Sequence, residues 1–209
     1  ELFMKEALKE ADKAYKLLEI PIGAVIVKDG KIVGIGHNLK ETMKDATLHA
    51  EITAIKAACK NLGGWRLPGC TMYVTLEPCA MCAGALVNAR IERLVIGARD
   101  FKTGACGSVV NVVQKENLNH QIDVQFGVLE KECSDIVKNF FAELRQIKNN
   151  NYKEKFVMPI IQVEMLEGRT VEQKREMVKR VTQAVADTVN CPKDAIKIII
   201  REMDKQNYA

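Results

Sequence analysis

Two short stretches do most to restrict what this chain can fold into: TLHAEITAI at 47–55 and TLEPCAMC at 75–82. Cys79 and Cys82 stand one helical turn apart behind Pro78, and His49 and Glu51 head a second helix-like segment. A Cys-x-x-Cys pair can be half of a metal site, a redox dithiol, or two small buried residues. The chain has no second such pair, which excludes a four-cysteine zinc knot. A redox dithiol leaves the only His-x-Glu of the chain unexplained. A purely structural zinc site would want a fourth protein ligand, and neither His37 nor His120 has ligand-like spacing. Those two histidines read as surface or loop residues.

One imidazole and two thiolates neutralise a divalent cation and leave one of four tetrahedral positions open for water. Helix starts favour anions, so both cysteines are placed where thiolate formation is assisted. Glu51 is not needed as a ligand and suits a carboxylate that takes a proton from a metal-bound water and passes it on. Of the other cysteines, Cys59 falls on an apolar helix face, and Cys70, Cys106, Cys133 and Cys191 show no partner.

The surrounding pattern alternates strands and helices. An amphipathic helix runs from about Met4 to Leu18, followed by a hairpin of IGAVIV (22–27) and KIVGIG (31–36) turning on Asp29-Gly30. A helix from about Leu48 to Asn61, a strand at 71–76, a helix after Pro78 and a strand at 93–98 come next. A Gly-rich loop, GACGS (104–108), a strand near 122–129 and a helix from Glu130 to about Lys148 complete this part. Such alternation predicts an α/β domain with helices on both faces of a sheet. The polar stretch KNNNYKEK (148–155) lacks apolar periodicity and reads as a linker. Beyond it a strand (159–166), a helix from about Thr170 to Val189 and a strand (195–202) form a βαβ unit too small to bury its own sheet, for which oligomerisation is the remedy. The domain reading is therefore 1–148, a linker 149–157, and 158–209.

Seven cysteines, odd in number and irregularly spaced, argue against a disulfide framework and for a reducing compartment, the cytosol by default. No apolar run reaches the roughly 18 residues of a membrane span, and no secretory leader is visible. Net charge is +4. Residues 1–150 hold 20 basic against 18 acidic residues, a surplus of two. That permits a polyanionic partner without demanding one.

The His-x-Glu and Pro-Cys-x-x-Cys pairing is the signature of the zinc nucleobase and nucleoside deaminases. Together with PIGAVIVKDGKIVGIGHN (21–38), DATLHAEI (45–52), MYVTLEPCAMCAGAL (72–86) and IGARDFKTGACGS (96–108), it resembles the bacterial tRNA-specific adenosine deaminases over about 1–148. The resemblance implies a cytidine deaminase-like three-layer α/β/α sandwich with a mixed sheet, a homodimer, and hydrolytic conversion of the wobble adenosine of a tRNA anticodon stem-loop to inosine. It implies Zn²⁺ on His49, Cys79 and Cys82, with Glu51 shuttling protons. Asn38 would hydrogen-bond the base, Ile22 would line the pocket, Asp100 and Lys102 would border the RNA channel, and Phe141 would contact RNA. Asn38 also fits a strand-ending turn, Ile22 plain core, and Asp100 a loop cap. The helix after Phe141 continues Ala142-Glu143-Leu144-Arg145, less basic than is typical of the family. The alternatives are a deaminase of free guanine or cytosine, and a zinc-stabilised binding module, which would have no use for Glu51.

PIIQVEMLEGRTVEQKREMVKRVTQAVADTV (159–189) and IKIIIREMDKQNYA (196–209) resemble the 4-oxalocrotonate tautomerase family over about 50 residues. That resemblance implies a small βαβ unit, assembly beyond a dimer, and a cofactor-free proton transfer whose base is an N-terminal proline. Here Pro159 follows Met158 inside the chain, and an amide-linked nitrogen has its lone pair in peptide resonance. Arg169 matches a substrate-carboxylate arginine. Lys197 replaces a second one, keeping the charge without the bidentate fork, and Tyr208 matches a pocket aromatic. Each also has a plain structural reading: a turn, a solvated strand, terminal packing. The expectation is a module inactive in tautomerisation while Pro159 stays internal.

Overall fold

The computed structural model describes residues 1–155 and 159–204. The chain divides between Glu143 and Leu144 into two compact units.

In the first unit, α1 (Leu2–Lys16) precedes the hairpin of β1 (Gly23–Lys28) and β2 (Lys31–His37). Asp29 and Gly30 both take positive φ, 49° and 73°, the pair of left-handed residues that a type I′ turn requires. A short α2 (Lys40–Met43) leads to α3 (Ala50–Leu62), β3 (Cys70–Leu76), α4 (Ala80–Ala89), β4 (Arg93–Ala98) and β5 (Asp123–Phe126). The sheet order is β2-β1-β3-β4-β5; β1 is antiparallel to both neighbours, and β3, β4 and β5 are parallel. All of β1 except Lys28 is buried, as a strand covered on both faces must be.

Two apolar clusters flank the sheet. One collects Ala50, Ala54 and Ala58 of α3 with Ala83 and Leu86 of α4, and the other Met4 and Ala7 of α1 with Cys133. The α/β/α layering and mixed sheet expected from the sequence are thus present.

Strand direction and register bring four chain positions to one edge. Gly23 pairs with His37 and Ala24 with Val74, while Leu76 pairs with Ala98. Ile22, Asn38, Pro78-Cys79 and Arg99-Asp100 therefore lie just beyond the ends of four adjacent strands. Open α/β sheets place ligands at this edge, outside the carboxyl ends of their parallel strands.

Helix α3 approaches β2 with only small residues between them. A Cβ at Gly34 or Gly36 would collide with the carbonyls of Ala54 and Ala50, respectively. That close seating fixes the start of α3, and with it His49 and Glu51, against the sheet.

Several boundaries differ from the sequence reading. α3 starts at Ala50 rather than Leu48 because His49 is its N-cap, with extended φ/ψ. β5 covers only Asp123–Phe126, and α2 was not expected. The next helix, α5 (Glu130–Lys155), starts in this unit, crosses its boundary and does not end near Lys148. It runs through the stretch read as a linker, where Asn149, Asn150 and Asn151 are weak helix formers but Lys153, Glu154 and Lys155 are good ones and no Gly or Pro intervenes. Lack of apolar period removes a packing face, not the helix.

The second unit pairs β6 (Ile160–Leu166) with β7 (Lys197–Met203) in parallel, joined through α6 (Val171–Val189). Thr170 and Gln173 form a capping box at the start of α6, and Asn190 closes it in the left-handed region. None of the residues 159–204 is fully buried. Among the described residues no helix is long and apolar enough to cross a membrane.

Replacing Gly36 with Ala is expected to destabilise the first unit by about 1–3 kcal/mol, the usual cost of overpacking. Thermal and denaturant unfolding would read it. An unchanged midpoint would show that α3 has room to move.

Candidate metal centre and its pocket

His49 and Cys79 occupy equivalent places, the N-caps of α3 and α4. Ser, Thr, Asp and Asn usually fill that position, because their side chains accept a hydrogen bond from the first turn. Neither His49 nor Cys79 makes such a bond. Their side chains turn to each other instead: His49 Nδ1 lies 3.7 Å from Cys79 Sγ and 3.6 Å from Cys82 Sγ. All three ligand atoms fall within 4.8 Å of one another. A tetrahedral ion with bonds of about 2.0–2.1 Å to nitrogen and 2.3 Å to sulfur sets ligand atoms about 3.6 Å apart. The residues therefore fit a soft divalent metal without rearrangement.

Electrostatics follow the same geometry. Hydrogen bonding from the Cys82 thiol, and next from His49, lowers the Cys79 thiol to about 3. The Cys79 thiolate in turn raises Cys82, with burial adding to the effect. His49 is raised by its hydrogen bond to Cys79. Metal ligands must be deprotonated, so an ion bound here would displace whatever protons the two sulfurs and the imidazole share.

Glu51, only 3 % exposed, lies two residues into this corner. Burial raises its carboxyl, and Oε2 is a buried oxygen with no hydrogen-bond partner among the described residues. Unsatisfied buried carboxylate oxygens are costly and rare in native folds, so this one points to a ligand.

A cavity of about 510 Å³ opens here. Its wall brings together Ile22, Asn38, His49, Glu51, Cys79, Asp100, Lys102 and Phe141, while Cys82 is buried behind it. Two of these residues also have structural duties. Asn38 Oδ1 accepts the Ala50 N–H at 2.9 Å, supplying the cap that His49 does not, which leaves Nδ2 for the cavity. Asp100 Oδ1 accepts the N–H groups of Lys102 and Thr103 at 2.8 and 3.2 Å, closing its own turn. Burial raises the Asp100 carboxyl, but the Thr103 hydroxyl, which donates to Oδ2, and these backbone hydrogen bonds outweigh it and the net shift is downward.

Sequence reasoning missed two buried carboxylates on the same wall. Glu77, 3 % exposed, accepts the Asp100 N–H through Oε2 at 3.1 Å, and the Cys106 and Ser108 N–H groups through Oε1 at 3.0 Å each. The Ser108 hydroxyl also donates to Oε2. Glu77 thereby ties the loop that carries Asp100 and Lys102 to the strand end that carries Cys79. Glu19 Oε1 accepts the Thr42 N–H at 2.6 Å, pinning α2 beside the cavity. The available signal was a lone acid among apolar residues just before a proline or its neighbour: Glu77 before Pro78, and Glu19 two before Pro21. His120 lies in a loop, as expected, whereas His37 ends β2; both are partly buried. His37 Nδ1 lies 2.9 Å from Glu10 Oε2, and His120 Nε2 donates to the Ile91 carbonyl at 2.7 Å.

In the second unit Pro159 is half-buried and its carbonyl accepts the Lys197 N–H at 3.0 Å. Arg169 lines a recess of about 260 Å³ with Met165, Gln173, Lys174 and Met177. Pro159 and Lys197 are not among the described residues that line that recess. Tyr208 lies outside the described residues.

Fold and site together define a deaminase of the cytidine deaminase-like class, a hydrolase acting on a C–N bond. The chain belongs to the MafB19-like deaminase family, whose model matches residues 1–145. Residues 159–209 match the Tautomerase enzyme family model. The tRNA-specific adenosine deaminase of Bacillus subtilis is 54 % identical over 148 residues, 71 % of this chain and 92 % of that protein. The Haemophilus influenzae protein of the same name is 49 % identical over 149 residues, 71 % of this chain and 86 % of that one. A structure solved in work on A-to-I editing by tRNA:A34 deaminases superposes with a TM-score of 0.62 at 47 % identity, covering 64 % of this chain and 97 % of that one. Guanine deaminase from Nitrosomonas europaea, at 24 % identity and a TM-score of 0.57, shares the fold.

Replacing Cys82 with Ser should lower metal content from about one divalent ion per chain to near zero, read by elemental analysis of dialysed protein. Cys191→Ser is the control and should keep the ion. Equal metal in both variants would overturn the assignment of the ligands.

Proposed function

We propose that this chain hydrolytically deaminates adenosine to inosine at the wobble position of a tRNA anticodon stem-loop, with Zn²⁺ as its metal. The observation that carries the reading is the unpartnered, buried Glu51 Oε2 beside three convergent ligand atoms, at the cavity of a chain 54 % identical to a tRNA-specific adenosine deaminase.

His49, Cys79 and Cys82 would hold the ion; sulfur and imidazole donors favour zinc among divalent metals. Bound there, zinc supplies Lewis-acid polarisation and a lowered pKa for water. Glu51, as the carboxylate, carries two protons in turn: one from the attacking water to the ring nitrogen as the C–O bond forms, and one from the new hydroxyl to the amine, which leaves as ammonia when the C–N bond breaks. Asn38, held by Ala50, presents its remaining amide hydrogens to the base, and Ile22 packs beside the ring. Asp100, Lys102 and Phe141 border the path of the flanking RNA. An adenosine inside a folded loop reaches such a cavity only when turned out of its stack.

Seven cysteines, all free, support a reducing compartment, and we place the enzyme in the cytosol. It acts as a homo-oligomer. The absence of any fully buried residue within 159–204 supports assembly through the second unit, and the deaminase unit pairs as a dimer. The domain reading stays at 1–148, 149–157 and 158–209, with the linker helical as far as Lys155.

The direct test incubates the metal-loaded protein with an anticodon stem-loop carrying a wobble adenosine, and separately with guanine, cytosine and adenosine. Inosine at the wobble position is expected, with Glu51→Gln about 10²–10⁴-fold slower at unchanged metal content. Consumption of guanine with the stem-loop untouched would contradict the reading. For the second unit, the intact chain is expected to show no enol–keto proton transfer, and a chain beginning at Pro159 to show some. Activity in the uncut protein would refute the argument that an amide-linked proline cannot act as the base.

A further inference from the structure

Phe101 stands apart from the other aromatic residues of the first unit. Its side chain is 78 % exposed, yet it borders the cavity, between Asp100 and Lys102. Large apolar side chains left in water at the rim of a ligand site mark contact surfaces.

The backbone beneath the ring is fixed. Asp100 N–H donates to the buried Glu77 carboxylate at 3.1 Å, Asp100 Oδ1 accepts the Lys102 N–H at 2.8 Å, and Gly104 N–H donates to the Asp100 carbonyl at 3.0 Å. Phe101 thus caps a closed turn rather than riding a loose loop.

The wall carries acids as well as cations: Glu19, Glu51 and Glu77 are buried in it, and Asp100 is taken up by its own turn. Lys102 and Lys138 are exposed on the same wall, and neither is in a salt bridge among the described residues. Arg99 is already engaged, its guanidinium 3.8 Å from the Phe126 ring centroid. A fixed aromatic face on a wall that also presents two exposed ammonium groups outside any described salt bridge suits single-stranded nucleic acid, in which bases stack on rings while phosphates meet cations.

We propose that Phe101 is a stacking platform for the nucleobase adjacent to the one being deaminated, with Lys102 and Lys138 facing the intervening phosphates. This inference rests on the RNA reading above. It assigns Phe101 a binding role and no part in proton transfer.

Steady-state kinetics on a stem-loop substrate, with Phe101→Ala, Phe101→Trp and the unaltered protein, test it. Phe101→Ala should raise KM about 5-fold or more and leave kcat within about 2-fold, since a stacked base contributes some 1–3 kcal/mol. Phe101→Trp should restore KM. Stem-loops with an abasic nucleotide on one or the other side of the target then locate the contact: on one side, removal of the base should abolish the difference between the unaltered protein and Phe101→Ala. Because Phe101 is exposed, melting temperature and oligomeric mass should stay unchanged. A KM unaltered by Phe101→Ala, a loss equal on intact and both abasic RNAs, failure of Trp to rescue, or a changed oligomeric mass would each overturn the proposal. If the unaltered protein leaves the stem-loop untouched, the RNA reading and this inference fall together; if it edits normally and Phe101→Ala does too, only this inference falls.

Discussion

One convergence governs the first unit: two helix N-termini meet where His49 and Cys79 replace ordinary caps. Each helix gives up a local hydrogen bond so that three donor atoms can face a common point. The cost is met by other groups. Asn38 caps α3 from the end of β2, and glycines in β2 let α3 sit close enough for that bond to form. Sheet register, helix seating and ligand geometry are therefore one arrangement, not three.

Two buried glutamates show how environment divides labour between identical side chains. Glu77 receives four hydrogen bonds and is an anchor, holding the 100–108 loop against the strand end before Cys79. Glu51 has an oxygen with no partner among the described residues, and burial raises its carboxyl above the ordinary value. A saturated carboxylate cannot easily exchange a proton, and an unsaturated one costs stability unless a ligand completes it. The first is built for position and the second for chemistry.

Much of this was legible in the sequence. Periodicity and the Asp-Gly turn placed most elements, and the spacing of His49, Glu51, Cys79 and Cys82 singled out the cluster, because those signals are local. What could not be read depended on contacts between distant segments. Nothing near Asn38 announces that its side chain caps a helix that starts at Ala50, and Glu77 looks like spacing within TLEPC until the loop at 104–108 closes over it. The continuation of α5 to Lys155 was missed for another reason: apolar periodicity reports packing, and a helix can persist without it. In the second unit the strands and the helix were legible, but the recess that Arg169 shares with Met165, Gln173, Lys174 and Met177 was not, since a βαβ pattern fixes order without fixing which side chains share a pocket.

The central claim is that His49, Cys79 and Cys82 grip a metal ion and leave it one open position. X-ray absorption at the zinc edge of the metal-loaded protein measures this directly. The account predicts two sulfurs at about 2.3 Å, one imidazole nitrogen at about 2.0–2.1 Å, and one exchangeable light-atom ligand that a competing anion can displace. Four non-exchangeable protein ligands, or fewer than two sulfurs, would contradict it.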